Sequence, residues 1–172
     1  MWRVKSKDVL ILLFLANSTL VMAQVDLPEG SQMKMLGMTS RIADIDSSLE
    51  INHYSLAQQR HLLNRLFQAD QQYRDSLTNG AKSALKQQLF THRMVANDQA
   101  NQALLTKIIN RFGWPTIKQH GDQGALAAWL IVWHSDLSYQ RRYYLLIKSA
   151  YKQGLIKQNP IEIEQRLKRY SR

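Results

Sequence analysis

From Ser55 onward, apolar residues return at helical steps. Leu56, Leu63, Leu66, Phe67, Tyr73 and Leu77 share one stripe, which predicts a helix. Ser55 and Gln58 have the spacing of a capping box, and Asn79-Gly80 tolerates the left-handed backbone that closes a helix. A longer helix is predicted from Ala81 to Arg111, where Leu85, Leu89, Ala96, Ala100, Leu104, Ile108 and Phe112 recur at three- and four-residue steps. Lys107 and Arg111 lie in its last turns, where the helix dipole favours cations. Gly113 caps it and Pro115 forbids continuation.

The next helix is predicted to open at Asp122. Every residue from Ala125 to Trp133 is apolar, so this rod belongs at the centre of a bundle. A strand reading of WLIVW fails for want of alternation. A fourth helix is expected over Ser138–Gln153, with Tyr139, Tyr143, Leu146, Ile147 and Ala150 facing inward and Gly154 at its end. Asn159-Pro160 supplies an N-cap and a proline at the first position of a fifth. Glu162 and Glu164 stand in its first turn and Lys168 and Arg169 in its last, as the dipole prefers. The expected fold is therefore all-α, a compact bundle of four to five helices around a central apolar helix.

Ahead of Ser55 the pattern is different. Residues 24–54 keep no period, and Pro28, Gly30 and Gly37 interrupt them. They are expected to form an irregular leader arm, with room for a short helix around Arg41 to Leu49. Met33, Met35 and Met38 could bind copper(I) as thioethers, but without a Cys or well-placed His they are better read as apolar filler. Residues 1–23 have the form of a signal peptide. Arg3, Lys5 and Lys7 precede an apolar run from Val9 to Ala16, and Val21 and Ala23 are small residues before a cut after Ala23. The run is shorter than the ~20 residues that span a bilayer; an uncleaved anchor is the competing reading. The expected organisation is a signal peptide (1–23), a leader arm (24–54) and a helical domain (55–172) in the periplasm or outside the cell, with no integral membrane segment after cleavage.

Composition narrows the chemistry. There is no cysteine, hence no disulfide, thiol nucleophile or lipoprotein anchor. The formal charge is +10, and three basic residues and one acidic residue leave with the signal peptide, so the charge falls to +8. From Ser138 onward nine basic residues face only Glu162 and Glu164. Such a face could meet anionic lipid headgroups of the envelope surface, an acidic protein or a polyanion, but a solvated face that keeps the chain soluble is the first reading of such charge. Nucleic acid is not expected outside the cytoplasm.

The polar residues after the rod are the candidates for function. His134 stands at its C-terminus, where the dipole favours an imidazolium, and Asp136 or Ser138 can cap the next helix. His120-Gly121-Asp122 and His134-Ser135-Asp136 repeat a His-x-Asp pattern. They lie at opposite ends of one helix, about 18 Å apart at 1.5 Å per residue, so one metal ion cannot bind both. No metal and no cofactor is expected. No Gly-x-Ser-x-Gly elbow, phosphate loop or His-Glu-x-x-His is present. Asp70, Asp75 and Asp98 lie on helices and could face inward, but nothing in the sequence pairs them.

Asp98-x-x-Asn101, Gly113-Trp114-Pro115, Gly121, Ala128-Trp129-Leu130 followed by His134-x-Asp136, and Gln140 together resemble an uncharacterised bacterial family known only as a domain of unknown function. The resemblance implies a helical, often exported protein and points to Asp98, Asn101, Gly113, Trp114, Pro115, Trp129, His134, Asp136 and Gln140. The family pattern usually continues with an Asp-Arg pair and a terminal Gln-x-Tyr-Gly-Thr-Gln. Here the chain ends EIEQRLKRYSR, with Gln165-Arg166 where Asp-Arg would stand.

An antiparallel return of the rod along the long helix would set His134 beside Asp98. Such a pair could be a satisfied core contact or the orienting half of an acid–base site. Two functions follow. The leading one is a non-enzymatic binding module of the bacterial envelope, using its basic C-terminal helices, Arg141 and Arg142 among them. The alternative is a small hydrolase-like enzyme built on His134, Asp98 and Gln140, with Asn101, Trp114 and Asp136 as binding candidates. A deep pocket lined by Asp98, Trp114 and His134 would favour the enzyme.

Overall fold

The structure, a computed structural model, describes residues 43–80 and 83–170. Among them are five helices and no strand: α1 (Leu56–Asn79), α2 (Ala84–Phe112), α3 (Ile117–His134), α4 (Leu137–Lys152) and α5 (Ile161–Arg169). The signal peptide, the arm up to residue 42 and the start expected at Ala81 lie outside the described residues.

Local signals set most helix ends. The Ser55 hydroxyl accepts from the Gln58 N–H, and the Gln58 side chain takes the Ser55 N–H at 2.8 Å, closing the capping box. Ser83 caps α2 and Thr116 caps α3, while Asp136 caps α4 through the Tyr139 N–H at 2.8 Å. At α5 the cap falls one residue later than expected: Pro160, not Asn159, is the N-cap and has no side-chain bond to give, while Asn159 Oδ1 accepts the Ile161 N–H. Gly113 ends α2 with φ +84°, a backbone that favours glycine. Gly80 also ends its helix, but with φ −148°; the left-handed cap expected there does not form. The helix expected from Asp122 begins earlier, at Ile117. Gly121, at φ +74°, separates its first turn from the rod.

The rod is enclosed. Ala125, Ala127, Ala128, Ile131 and Val132 are buried, and no residue from Ala125 to His134 is exposed. α1 packs chiefly on α3 and α2. Gln59 meets His120 and Asp70 meets His134, so α1 and α3 run parallel. Leu66 meets Asn101, Ala69 meets Asn97 and Arg74 meets Asp98, so α1 and α2 run antiparallel. Gly124 lets α3 come close: a Cβ there would lie 3.4 Å from Leu63 Cδ1 and 2.9 Å from His120 Cβ.

Three expected core positions face solvent. Leu56 is the first residue of α1 at its exposed start, Leu85 lies on the first turn of α2 beyond the packed region, and Leu146 turns away from the buried line Gln140, Tyr143, Ile147 and Ala150. The short helix expected around Arg41 to Leu49 is also absent from its described part; residues 43–54 are bends and turns. That stretch nevertheless packs. Ile45 and Ile51 join the core, and Asn97 exchanges two hydrogen bonds with Asp44. Lys107 donates to Ser47 O and Leu49 O, and Arg111 to Asn52 O, so these two cations clamp the segment along α2.

Candidate functional site

The polar centre of the bundle forms where α1, α2 and the end of α3 meet. Asp70 lies on the buried stripe of α1 and is 1% exposed. Its carboxylate sits 3.0 Å from His134 Nδ1, 2.6 Å from Gln71 Nε2 and 3.5 Å from Arg74 Nη2. The same Arg74 nitrogen donates to Asp98 Oδ1 at 2.5 Å, and Nη1 points at Met94 Sδ. The expected Asp98–His134 pair is thereby corrected. The antiparallel return does bring His134 to the level of Asp98, but α1 inserts Asp70 as the partner of His134 and Arg74 as the partner of Asp98.

Electrostatics separates the two carboxylates. Burial alone would raise Asp70. The hydrogen bond and charge of His134, the charge of Arg74 and the Gln71 amide outweigh it and hold the carboxyl below its ordinary value. For Asp98 burial wins. Its carboxyl is raised despite the Arg74 charge and hydrogen bond, and the Asp70 charge pushes the same way. With Nδ1–H donated to Asp70, the neutral His134 ring presents Nε2 as an acceptor. No described residue hydrogen-bonds Nε2, and 13% of the side chain is exposed.

The other candidates fall elsewhere. Gln140 is fully buried and donates to Trp133 O and Ser135 O, tying α3 to α4 without a bond to His134 or Asp98. Asn101 is buried and donates to Leu66 O. Trp114 is buried between α2 and α3, at the other end of α3 from His134. Asp136 is the cap of α4. Arg141 and Arg142 are exposed on its outer side, with the Arg142 guanidinium over the Tyr143 ring. A surface cavity of about 530 Å³ is lined by His92, Val95 and Gln99, and one of about 390 Å³ by Tyr54, His61 and Arg65. Neither is lined by Asp98, Trp114 or His134. Among the described residues no three metal-ligating side chains converge, and no helix is long and apolar enough to cross a membrane.

A family model matches residues 56–161, from the first residue of α1 to the first of α5, and is described as a family of unknown function, DUF6624. The chain belongs to that family. No curated protein and no solved structure matches it. Asp70, Arg74, Asp98 and His134 all fall within the DUF6624 match, as does the whole of α4. Arg74 is absent from the sequence-based candidates, and Asp70 stands among the helical aspartates without a partner. A signal was present: Asp70 interrupts the stripe Leu63, Leu66, Tyr73, and a carboxylate at a core step needs a buried partner.

Proposed function

We propose that this DUF6624 member is an exported binding module of the bacterial envelope that engages an anionic partner through the outer face of α4. One observation carries the reading. α4 holds Arg141, Arg142, Lys148 and Lys152 and no acidic residue, and all of these but Lys148 are exposed. Lys148 is occupied by Tyr144 and Glu164, which leaves the two arginines and Lys152 to face outward. Exposed like charges on one helix raise the local potential and attract a polyanion, with strong salt dependence. The test is retention on immobilised heparin. Retention should weaken in Arg141→Gln/Arg142→Gln and fall with added salt; equal retention of the variant would end the reading. The expected export is checked by the mass of the chain recovered from the periplasmic fraction, which should correspond to a start at Gln24.

A second reading rests on the Asp70–His134 contact. A carboxylate that fixes Nδ1 and leaves Nε2 open is the arrangement of an acid–base imidazole. In this reading Asp70 takes the orienting place first given to Asp98, and Gln140 only holds the helix junction. Hydrolysis of p-nitrophenyl acetate by the wild type, lost in a folded His134→Gln variant, would support it. Equal rates in both would remove it.

A further inference from the structure

We infer that the anionic partner is a lipid bilayer, with Leu145 entering the headgroup region and Arg141, Arg142 and Lys152 on the phosphates. This rests on the reading of α4 given above and adds a different observation. Leu145 is 73% exposed, more than any other large apolar side chain among the described residues. It stands directly opposite the buried line of Gln140, Tyr143, Ile147 and Ala150. Arg141 and Ser149 lie one turn to either side of it, with Arg142 beside it and Lys152 a further step along. The outward ridge is thus one leucine set among cations, with small serines, Ser138 and Ser149, between them.

Area decides between partners. A stable protein interface buries about 800 Å² on each side around an apolar centre. Leu145, even with the part-exposed Leu146 beside it on a convex helix, is far short of that centre. A bilayer asks for less, since shallow insertion of a single apolar group adds to attraction between basic side chains and anionic headgroups. The carboxylates nearby do not oppose this. Asp136 is at the N-terminal end of α4, where it caps the helix, and Glu164 is held by Lys148 and Lys168 on the α5 side. A soluble polyanion would use the arginines and ignore Leu145, so the leucine separates the inference from the broader reading.

The experiment is co-sedimentation of the full chain, in the processed form the expressing cell yields, with phosphatidylglycerol-containing vesicles and with pure phosphatidylcholine vesicles. All variants share one N-terminus, so differences among them report α4. Wild type should sediment with the anionic vesicles and much less with the neutral ones. Arg141→Gln/Arg142→Gln should lower the partition coefficient by about 25-fold, roughly fivefold for each cation. Leu145→Ser should lower it by about tenfold on vesicles and leave heparin retention unchanged. These side chains are exposed, so circular dichroism should show every variant folded. Heparin retention without vesicle binding, or vesicle binding indifferent to Leu145, would overturn the lipid inference while the broader reading stands. Loss of both would overturn both. Loss of heparin retention in Leu145→Ser would instead point to an acidic protein-like surface and also count against the bilayer.

Discussion

The two ends of α3 carry the same His-x-Asp pattern and treat it in opposite ways. At the first end, His120 is 5% exposed and both of its nitrogens are occupied. Nδ1 accepts the Thr116 N–H at 3.2 Å, and Nε2 faces Gln59 Oε1 at 3.1 Å. Only neutral partners touch this ring, and burial, aided by the charge of Arg60, lowers its pKa against the backbone hydrogen bond. At the second end, His134 faces a carboxylate, and two aspartates and one arginine surround it. Asp70, Asp98 and Arg74 together carry one net negative charge next to it. The same His-x-Asp pattern thus gives a ring among neutral partners at one end and a ring on a charged cluster at the other. What distinguishes them is the side chain α1 offers, Gln59 or Asp70.

The largest test of that contrast removes each partner. Asp70→Asn should destabilise the protein by about 3 kcal/mol, because it removes the buried carboxylate that faces both His134 Nδ1 and Arg74 and leaves Arg74 to Asp98. Gln59→Ala should cost about 1–2 kcal/mol, the penalty for an unpaired buried imidazole N–H. Urea titration of both variants decides. Equal losses would mean that the two ends do not differ in kind.

Acid is the next test. An unfolded histidine takes up its proton near pH 6.5, but folded His120 does so only at lower pH. The unfolded chain therefore binds more protons, and stability should decline as pH falls below about 6.5. The decline should disappear in His120→Gln. Asp70 acts lower down. Its folded pKa is depressed, so its contribution is full above about pH 4 and is lost as pH falls further. Thermal unfolding across this range should show two separate losses, and His120→Gln should keep only the lower one.

The helix caps provide a smaller, matched comparison. Thr116 caps α3 at the His120 end and Asp136 caps α4 at the His134 end. Thr116→Ala and Asp136→Ala should each cost about 1 kcal/mol. Matched costs would confine the contrast to the histidines. The smallest effect on stability, and the most direct on access, is carbethoxylation by diethyl pyrocarbonate. Mapped by mass spectrometry, His134 should react at Nε2 while His120 stays protected. Protection of both would close the acid–base reading.

Local chemistry was legible in the sequence. The Ser55 capping box, the Gly113 stop, the Asp136 cap and the apolar rod each depend on residues within a few positions of one another. The level of His134 along α2 was legible too, because helix rise and an antiparallel turn fix it. Its partner was not. Which side chain meets His134 depends on how α1 and α3 lie side by side, and α1 is separated from α3 by the whole of α2. Counting residues along α2 pointed to Asp98; the parallel neighbour supplied Asp70, and Arg74, one turn further along α1, took Asp98. Leu146 and Leu85 failed for a related reason. Periodicity names a stripe, but only the neighbouring helices decide how far along it burial extends.

The backbone bond from the Ile117 N–H to Leu155 O, 3.0 Å long, joins the first turn of α3 to the chain after α4, and Lys157 reaches Asp122 beside it at 2.8 Å. Because Gly121 cuts that first turn off from the rod, this distant latch joins the α1 contacts, Gln59 to His120 and Arg60 to Gln119 O, in holding it from outside the helix. A stop codon after Gln153 would remove the latch and loosen the seat of His120, although every residue of α3 would still be translated. A stop after Ile161 would keep it, and that residue is also where the DUF6624 match ends.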